Sequence, residues 1–373
     1  MDFKPTNHEV RIFNRQRVIN TLFRQGPMTV QELTTTLGLS HGTITNIIKE
    51  LSARGLVTRG DTLSSSGGRP PSCVTLVFDA RCAIGVSLST NHMRILQVDL
   101  GPQIIRQEKH VLPMDGEAAY WVQVNALLEG FIQRSGIDES TLLGVGLSIQ
   151  APMEKGRSIA ARMQGEVGYD YWDSETIHQA FKRPVTVNND AKTASYAQIW
   201  GLDQDQDMVY LLLGTGVGGA IIINRRIWEE GRKNAEFGHM TVREGGRLCS
   251  CGQHGCLGVY CSSRALRGEA GVELDAFFIQ LHSGDAAFER IWEEYLHYLA
   301  IGINNIHTIF DTKVIVGGEM SQYLKGYEAE MKSRLDGLNP FGEKADYLRI
   351  GEYGEYDSAM GAALLHIDAF LNQ

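Results

Sequence analysis

The chain has 373 residues, 43% apolar and 21% charged, which is too long for one ordinary core and has the balance of a water-soluble protein of at least two domains. No apolar run follows Met1 to Pro5, no stretch is long enough to cross a bilayer, and the six cysteines do not form a disulfide-like framework. A cytoplasmic protein with no membrane insertion is therefore expected. The net charge of −9 argues against nucleic acid for the chain as a whole, yet residues 1–75 carry nine Lys and Arg against five Asp and Glu, leaving 26 against 39 for the remainder.

That first segment has the pattern of a DNA reader. Arg17 to Arg24 reads as a helix with Val18, Ile19, Leu22 and Phe23 inward, ended by Gly26 and Pro27. Thr29 and Glu32 form a capping box for a second helix through Leu37, Gly38 and Leu39 make the turn, and Ser40 caps a third helix buried along Ile44, Ile47, Ile48 and Leu51. The opposite face of the third helix presents His41, Thr43, Thr45, Asn46 and Lys49, short polar groups suited to a major groove. Thr43 and Asn46 are the candidates for base edges, Ser40, Thr45 and Lys49 for phosphates. Residues 60–75 read as a wing whose tip places Arg69 towards a minor groove. The partner implied is a double-stranded DNA operator, and because one such unit reads a half-site, a homodimer or dimer of dimers is expected.

From Cys82 the texture becomes α/β, with apolar strands at 83–88, 142–147 and 185–187 alternating with helical stretches. Asn189 and Asp190 stand where the strand at 185–187 passes into a helix, the edge of an α/β sheet at which ligands bind. The strand 208–213 runs through a glycine-rich turn, Gly214 to Gly219, into a second strand at 220–223. That context belongs to neither a dinucleotide loop nor a phosphate loop of the strand–loop–helix type. His239, Cys249, Cys251 and Cys256 then supply four nitrogen and sulfur donors in a short span, the composition of a closed, structural zinc site. His254 and Cys261 are spare donors close enough in sequence to replace one of them. At the end of the chain, Met360, Ala363, Leu364, Ile367, Phe370 and Leu371 share one helical face, fit to pack on the first lobe or on a partner subunit.

Taken together, the helix-turn-helix, the Asn-Asn-Asp-Ala segment, the glycine turn, the Glu236 to His239 segment and the Cys-x-Cys-Gly-x-x-Gly-Cys run resemble the ROK family of repressors and sugar kinases over nearly the whole chain. The resemblance implies an N-terminal winged helix-turn-helix joined to a two-lobed, actin-like sugar-kinase body with sugar in the cleft between lobes. The corresponding division is 1–77, then a first lobe at 78–190 completed by a C-terminal helix at 357–373, and a second lobe at 191–356 with the zinc site. It also implies that Asp190 matches the carboxylate that serves the kinases as base, that Asn189 is a neighbouring hydroxyl contact, and that Glu236 and His239 hold other sugar hydroxyls. Two departures bear on function. Gly85 to Asn91 stands where the kinases have an Asp-x-Gly-Gly-Thr phosphate loop and carries neither that carboxylate nor the paired glycines, so no kinase activity is expected. Gly258 replaces a usual sugar-contacting glutamate, which leaves open an unusual sugar or a sugar phosphate as effector. The leading expectation is a sugar-responsive regulator, chiefly a repressor of carbohydrate genes. The competing readings are a kinase with an appended DNA-binding module and a repressor controlled by a protein partner.

Overall fold

The computed structural model describes residues 6–62, 72–114, 118–150, 153–154, 158–161, 170–200, 207–228 and 235–372. The first three helices are α1 (Asn7–Gln25), α2 (Val30–Leu37) and α3 (His41–Ala53), followed by an antiparallel pair, β1 (Val57–Thr62) and β2 (Ser72–Leu76). α1 starts ten residues before the expected Arg17, because Thr6 and Glu9 form a capping box that the apolar period does not reveal: Glu9 N–H donates to Thr6 Oγ1 at 3.2 Å and Thr6 N–H to the Glu9 carboxylate at 2.6 Å. The box at Thr29 and Glu32 and the Ser40 cap lie where the sequence puts them. Ile44, Ile47, Ile48 and Leu51 are buried against Val18, Ile19, Leu22 and Leu33. Glu50 of α3 takes Arg11 at 2.7 Å and Arg15 at 2.8 Å, so these two α1 cations are neutralised within the module. The wing tip that carries Arg69 lies outside the described residues.

The first large sheet follows as β3 (Cys82–Leu88), β4 (His92–Asp99), β5 (Ile104–Val111), α4 (Ala118–Ser135) and β6 (Leu142–Ile149). A small sheet of β7 (Met153–Glu154), β8 (Ser158–Ala161) and β9 (Asp170–Asp173) leads to α5 (Ser174–Ala180), then β10 (Val185–Asn189) and α6 (Asp190–Trp200). The second half runs β11 (Met208–Leu213), β12 (Val217–Ile223), β13 (Arg226–Ile227), α7 (Gly258–Cys261), α8 (Ser263–Ala270), α9 (Leu274–His282) and α10 (Ala286–Phe310). It closes with β14 (Lys313–Gly317), α11 (Ser321–Leu324), α12 (Glu328–Leu338), β15 (Leu348–Ile350) and α13 (Asp357–Asn372).

The two sheets repeat one plan. In the order β10-β6-β3-β4-β5, the first three strands are parallel and the last two turn back antiparallel. In the order β15-β14-β11-β12-β13 the same holds. Such a duplicated mixed sheet puts the carboxyl ends of its parallel strands at one cleft, where ligands of α/β proteins bind. α13 returns to the first sheet: Met360, Ala363, Leu364, Ile367 and Leu371 are buried there, and Phe370 is partly buried. α6 lies between the halves, with Ala197 in the core shared with α13 and Ala191, Ala194 and Ile199 against the second sheet. Among the described residues, no helix is long and apolar enough to cross a membrane.

Candidate functional site

β10 ends at Asn189 and α6 begins at Asp190, so both side chains stand at the carboxyl edge of the first sheet. Asn189 caps the helix, its Oδ1 accepting the Lys192 N–H at 3.2 Å, while its Nδ2 donates to Asp190 Oδ1 at 3.1 Å. The Ala191 N–H donates to the same oxygen at 2.9 Å. Capping is thus the work of Asn189, and the Asp190 carboxylate is positioned rather than consumed. Burial pushes Asp190 up to about 7 against the pull of the Ala191 N–H, with the negative Glu236 near enough to add to the rise. A carboxyl so perturbed by burial beside a second carboxylate marks a candidate functional group.

Glu236 precedes a short turn, Phe237–His239, that packs under β12. The chain then doubles back through two isolated antiparallel bridges, Thr241 to Cys256 and Leu248 to His254, which return the cysteines beside His239. One donor atom each from His239, Cys249, Cys251 and Cys256 lies within 4.8 Å of the others. Cys249 Sγ is 3.6 Å from His239 Nδ1, and Cys251 Sγ is 3.7 Å from Cys256 Sγ. The tight return depends on Gly255, which has φ +79 and where a Cβ would stand 1.6 Å from the Arg243 carbonyl oxygen. Burial and the neighbouring thiols push Cys256 up to about 12, whereas the Gln253 N–H draws Cys251 down. A buried thiol such as Cys256 gives up its proton more readily where a cation shares the charge, which fits a metal held by the four donors. The spare donors are elsewhere: His254 Nδ1 meets the Gly246 carbonyl at 2.9 Å, and Cys261 is buried with its thiol towards the Tyr295 carbonyl.

The start of α8, just after the cysteine cluster, is joined to the glycine turn, because the Ser263 N–H donates to the Gly214 carbonyl at 2.7 Å. From that turn, Thr215 donates to Gln150 Oε1 at 2.7 Å, spanning from the second sheet to the end of β6 in the first. A larger bridge of charged groups also joins the two halves. Ser87 of β3 pairs in register with Arg94 on β4. The Arg94 guanidinium, 6% exposed, reaches Glu355 at 2.7 Å and Glu319 at 3.7 Å. Lys109 also holds Glu355 at 2.7 Å, and Ser263 holds Glu319 at 2.7 Å. Burial alone would raise the Glu355 carboxyl, but Arg94 and Lys109 together keep it below its ordinary value. Its members are separated by 225 and 261 positions, so no local pattern announces the network; the one local signal is Arg94 itself, a cation between Met93 and Ile95 in β4. Arg94→Ala, which leaves Glu355 to Lys109 alone and Glu319 to Ser263 alone, is expected to cost roughly 1.5–3 kcal/mol, read as a lower unfolding midpoint in urea.

Residues 84–369 match the model of the ROK family, and residues 17–69 match that of the MarR family. The chain belongs to the ROK family. It is 23% identical to the xylose repressor of Bacillus subtilis (strain 168) over 97% of both chains. It is 28% identical to the N-acetyl-D-glucosamine kinase of Shigella flexneri serotype 5b, over 72% of this chain and 94% of that one. A solved ROK family transcriptional regulator, a homologue of the E. coli MLC protein, superposes with TM-score 0.73 at 20% identity over 97% of both chains, which fixes the fold as a helix-turn-helix plus ROK body.

Among the sequence-derived site residues, Asn189 is bonded to Asp190, Glu236 is near enough to act on the Asp190 carboxyl, and His239, Cys249, Cys251 and Cys256 form one cluster. Ser40, His41, Asn46 and Lys49 are exposed on α3 and Thr43 and Thr45 half-buried, with Ser40 Oγ and Thr43 Oγ1 bonded to each other at 2.9 Å. Gly258 opens α7, and a Cβ there would stand 3.2 Å from the Gly238 carbonyl, so a side chain at this position would point at the Glu236 to His239 segment.

Proposed function

We propose that this protein is a sugar-responsive DNA-binding repressor of carbohydrate uptake or catabolism genes, with its effector in the cleft between the two sheets. The observation that carries this is the full-length match: the xylose repressor aligns over 97% of this chain, DNA-binding segment included, whereas the N-acetyl-D-glucosamine kinase aligns over 72%. In this reading residues 1–77 bind the operator, 78–190 with 357–373 form one lobe, and 191–356 form the other. Asn189, Asp190, Glu236 and His239 hold sugar hydroxyls. Ser40, His41, Thr43, Thr45, Asn46, Lys49 and Arg69 face DNA, and a homodimer supplies the two half-sites.

The cluster of His239 and three cysteines holds zinc. Zinc–sulfur bonds of about 2.3 Å and zinc–nitrogen bonds of about 2.0–2.1 Å give tetrahedral edges near 3.8 Å between sulfurs and near 3.6 Å between sulfur and nitrogen. The separations of 3.7 Å and 3.6 Å agree with those edges. Bound there, zinc would hold this loop together, and the His239 ring, whose Nδ1 faces Cys249, would keep Nε2 for ligand. Phosphoryl transfer is not part of the function: Ser87 brings no carboxylate for a metal nucleotide, and Arg94 with Glu319 and Glu355 fills the neighbouring space with an internal ion network.

The test is operator binding to the DNA upstream of its own gene, with D-xylose, D-glucose, N-acetyl-D-glucosamine and their phosphates added in turn. Release by one of them supports the reading; ATP-dependent phosphorylation of any of them contradicts it. On the DNA side, Lys49→Ala is expected to weaken binding for all sequences alike and to flatten the salt dependence by about one unit, whereas Asn46→Ala should cost roughly 1–3 kcal/mol on the operator alone. Anisotropy titrations at several salt concentrations separate the two.

A further inference from the structure

The DNA-binding module is docked on the body through a common core. Val18, Leu22 and Ile48 belong to the same apolar cluster as Leu96 of the first sheet and Ala363, Ile367 and Leu371 of α13. Two body helices make the junction. Asn20 of α1 donates through Nδ2 to the Leu371 carbonyl at 3.1 Å and to Asn372 Oδ1 at 3.2 Å. Trp200, the last residue of α6, meets Phe23 of α1 edge-on at 5.9 Å, and Phe23 in turn meets Phe78 at 6.2 Å.

The other ends of the same two helices reach the cleft. α6 begins at Asp190 and carries Trp200 one helix length away, 11 residues or about 16 Å. In the first turn of α13, Ser358 donates to the Asp190 carbonyl at 3.1 Å. Its neighbour Asp357, fully buried, accepts the Tyr210 hydroxyl at 2.6 Å and the Gly318 N–H at 2.7 Å, both from the second sheet. Between these ends the helices touch backbone to backbone: a Cβ at Gly361 would stand 1.6 Å from the Thr193 carbonyl oxygen. With no side chain to yield between them, displacement of one helix carries the other.

The geometry points to the α6–α13 pair as the element that couples the ligand cleft to the DNA-binding module, with Asn20 and Phe23 as its output contacts. This rests on the reading of the chain as a sugar-gated operator binder. A ligand held by Asp190 and the second sheet shifts the cleft ends of both helices. Their far ends then re-aim α1, and with it the recognition helix α3. Since coupling between two binding sites is reciprocal, operator DNA must also act on the cleft end of α6.

The double variant Asn20→Ala/Phe23→Leu leaves the cleft, the metal ligands and α3 unaltered. In the wild type, whichever of D-xylose, D-glucose and N-acetyl-D-glucosamine binds is expected to change operator affinity by roughly 5- to 150-fold. The variant should keep sugar affinity and sugar-free operator affinity within about threefold, while the response to sugar falls below about twofold. Ser358→Ala, which removes the bond to the Asp190 carbonyl with almost no change in volume, should reduce the response in the same direction and guards against a folding defect in the double variant. Hydrogen exchange supplies a readout that needs no sugar: operator DNA should alter protection at residues 191–195 in the wild type and not in the double variant. A variant with the full sugar response, or wild-type exchange at 191–195 indifferent to operator, overturns the coupling. A wild type that shows the exchange change but answers to no sugar overturns the choice of effector and keeps the coupling.

Discussion

Asp190→Ala is expected to abolish the sugar response while leaving operator binding intact. Hydrogen bonds to an ionised carboxylate contribute about 1.5–3 kcal/mol each, so losing one of them weakens sugar binding by roughly 10- to 150-fold and losing two by more, measurable by calorimetry. The pH dependence follows from the raised value of about 7. Sugar hydroxyls donate to the ionised form, so affinity should rise as pH climbs from 6 to 8 and level off above. Stability runs the other way. An unfolded aspartate titrates near 3.8 and the native one near 7, so between these values the folded state holds the extra proton. Raising the pH through that window removes stability, and the cost is fully present above 7. Asp190→Asn, which needs no ionisation, is therefore expected to gain on the wild type at pH 8 but not at pH 4. Each kcal/mol recovered moves the melting temperature by about 2–4 °C.

Cys256→Ala should eliminate the metal and, with it, the order of the loop from His239 to Cys261. Cys256 is fully buried, and its thiol lies 3.7 Å from Cys251, so no water can take its place as a ligand without rearrangement. Structural zinc in small domains contributes apparent binding energies of about 10–16 kcal/mol at neutral pH, and loss of one thiolate forfeits much of that locally. The expected results are metal content falling from about one to near zero per chain and a melting temperature lowered by about 10 °C or more. Sugar affinity should also weaken at least tenfold, because His239 is no longer oriented. Operator binding should survive, since α1 to α3 pack on the first sheet and α13, away from the metal. Cys261→Ala is the control: its thiol faces the Tyr295 carbonyl, and metal content should stay unchanged.

What the sequence disclosed and what it withheld divide along the range of the interactions. Caps at Thr29 and Ser40, the apolar stripe of α3 and the glycine-punctuated cysteine run are local, and each stands in the structure where spacing places it. The start of α1 is not legible because a capping box at Thr6 and Glu9 extends a helix through residues with no apolar period, Arg11 and Arg15 among them, which are held instead by Glu50, 39 and 35 positions away. Nothing local announces that Arg94 spans to Glu319 and Glu355, or that the apolar face at the end of the chain closes a core with the DNA-binding helices. Those are consequences of the two sheets facing one cleft and of α13 crossing back over the first. The wing residue Arg69 lies outside the described residues and stays a proposal from sequence.

The most direct test of the account is fluorescence anisotropy on a labelled fragment of the DNA upstream of its own gene, run on the wild type and Asp190→Ala with and without sugar. Both are expected to bind the DNA alike without sugar, and one sugar is expected to change operator affinity for the wild type only, by roughly 5- to 150-fold. Operator binding by the wild type that no sugar alters, or an equal response in Asp190→Ala, would contradict it.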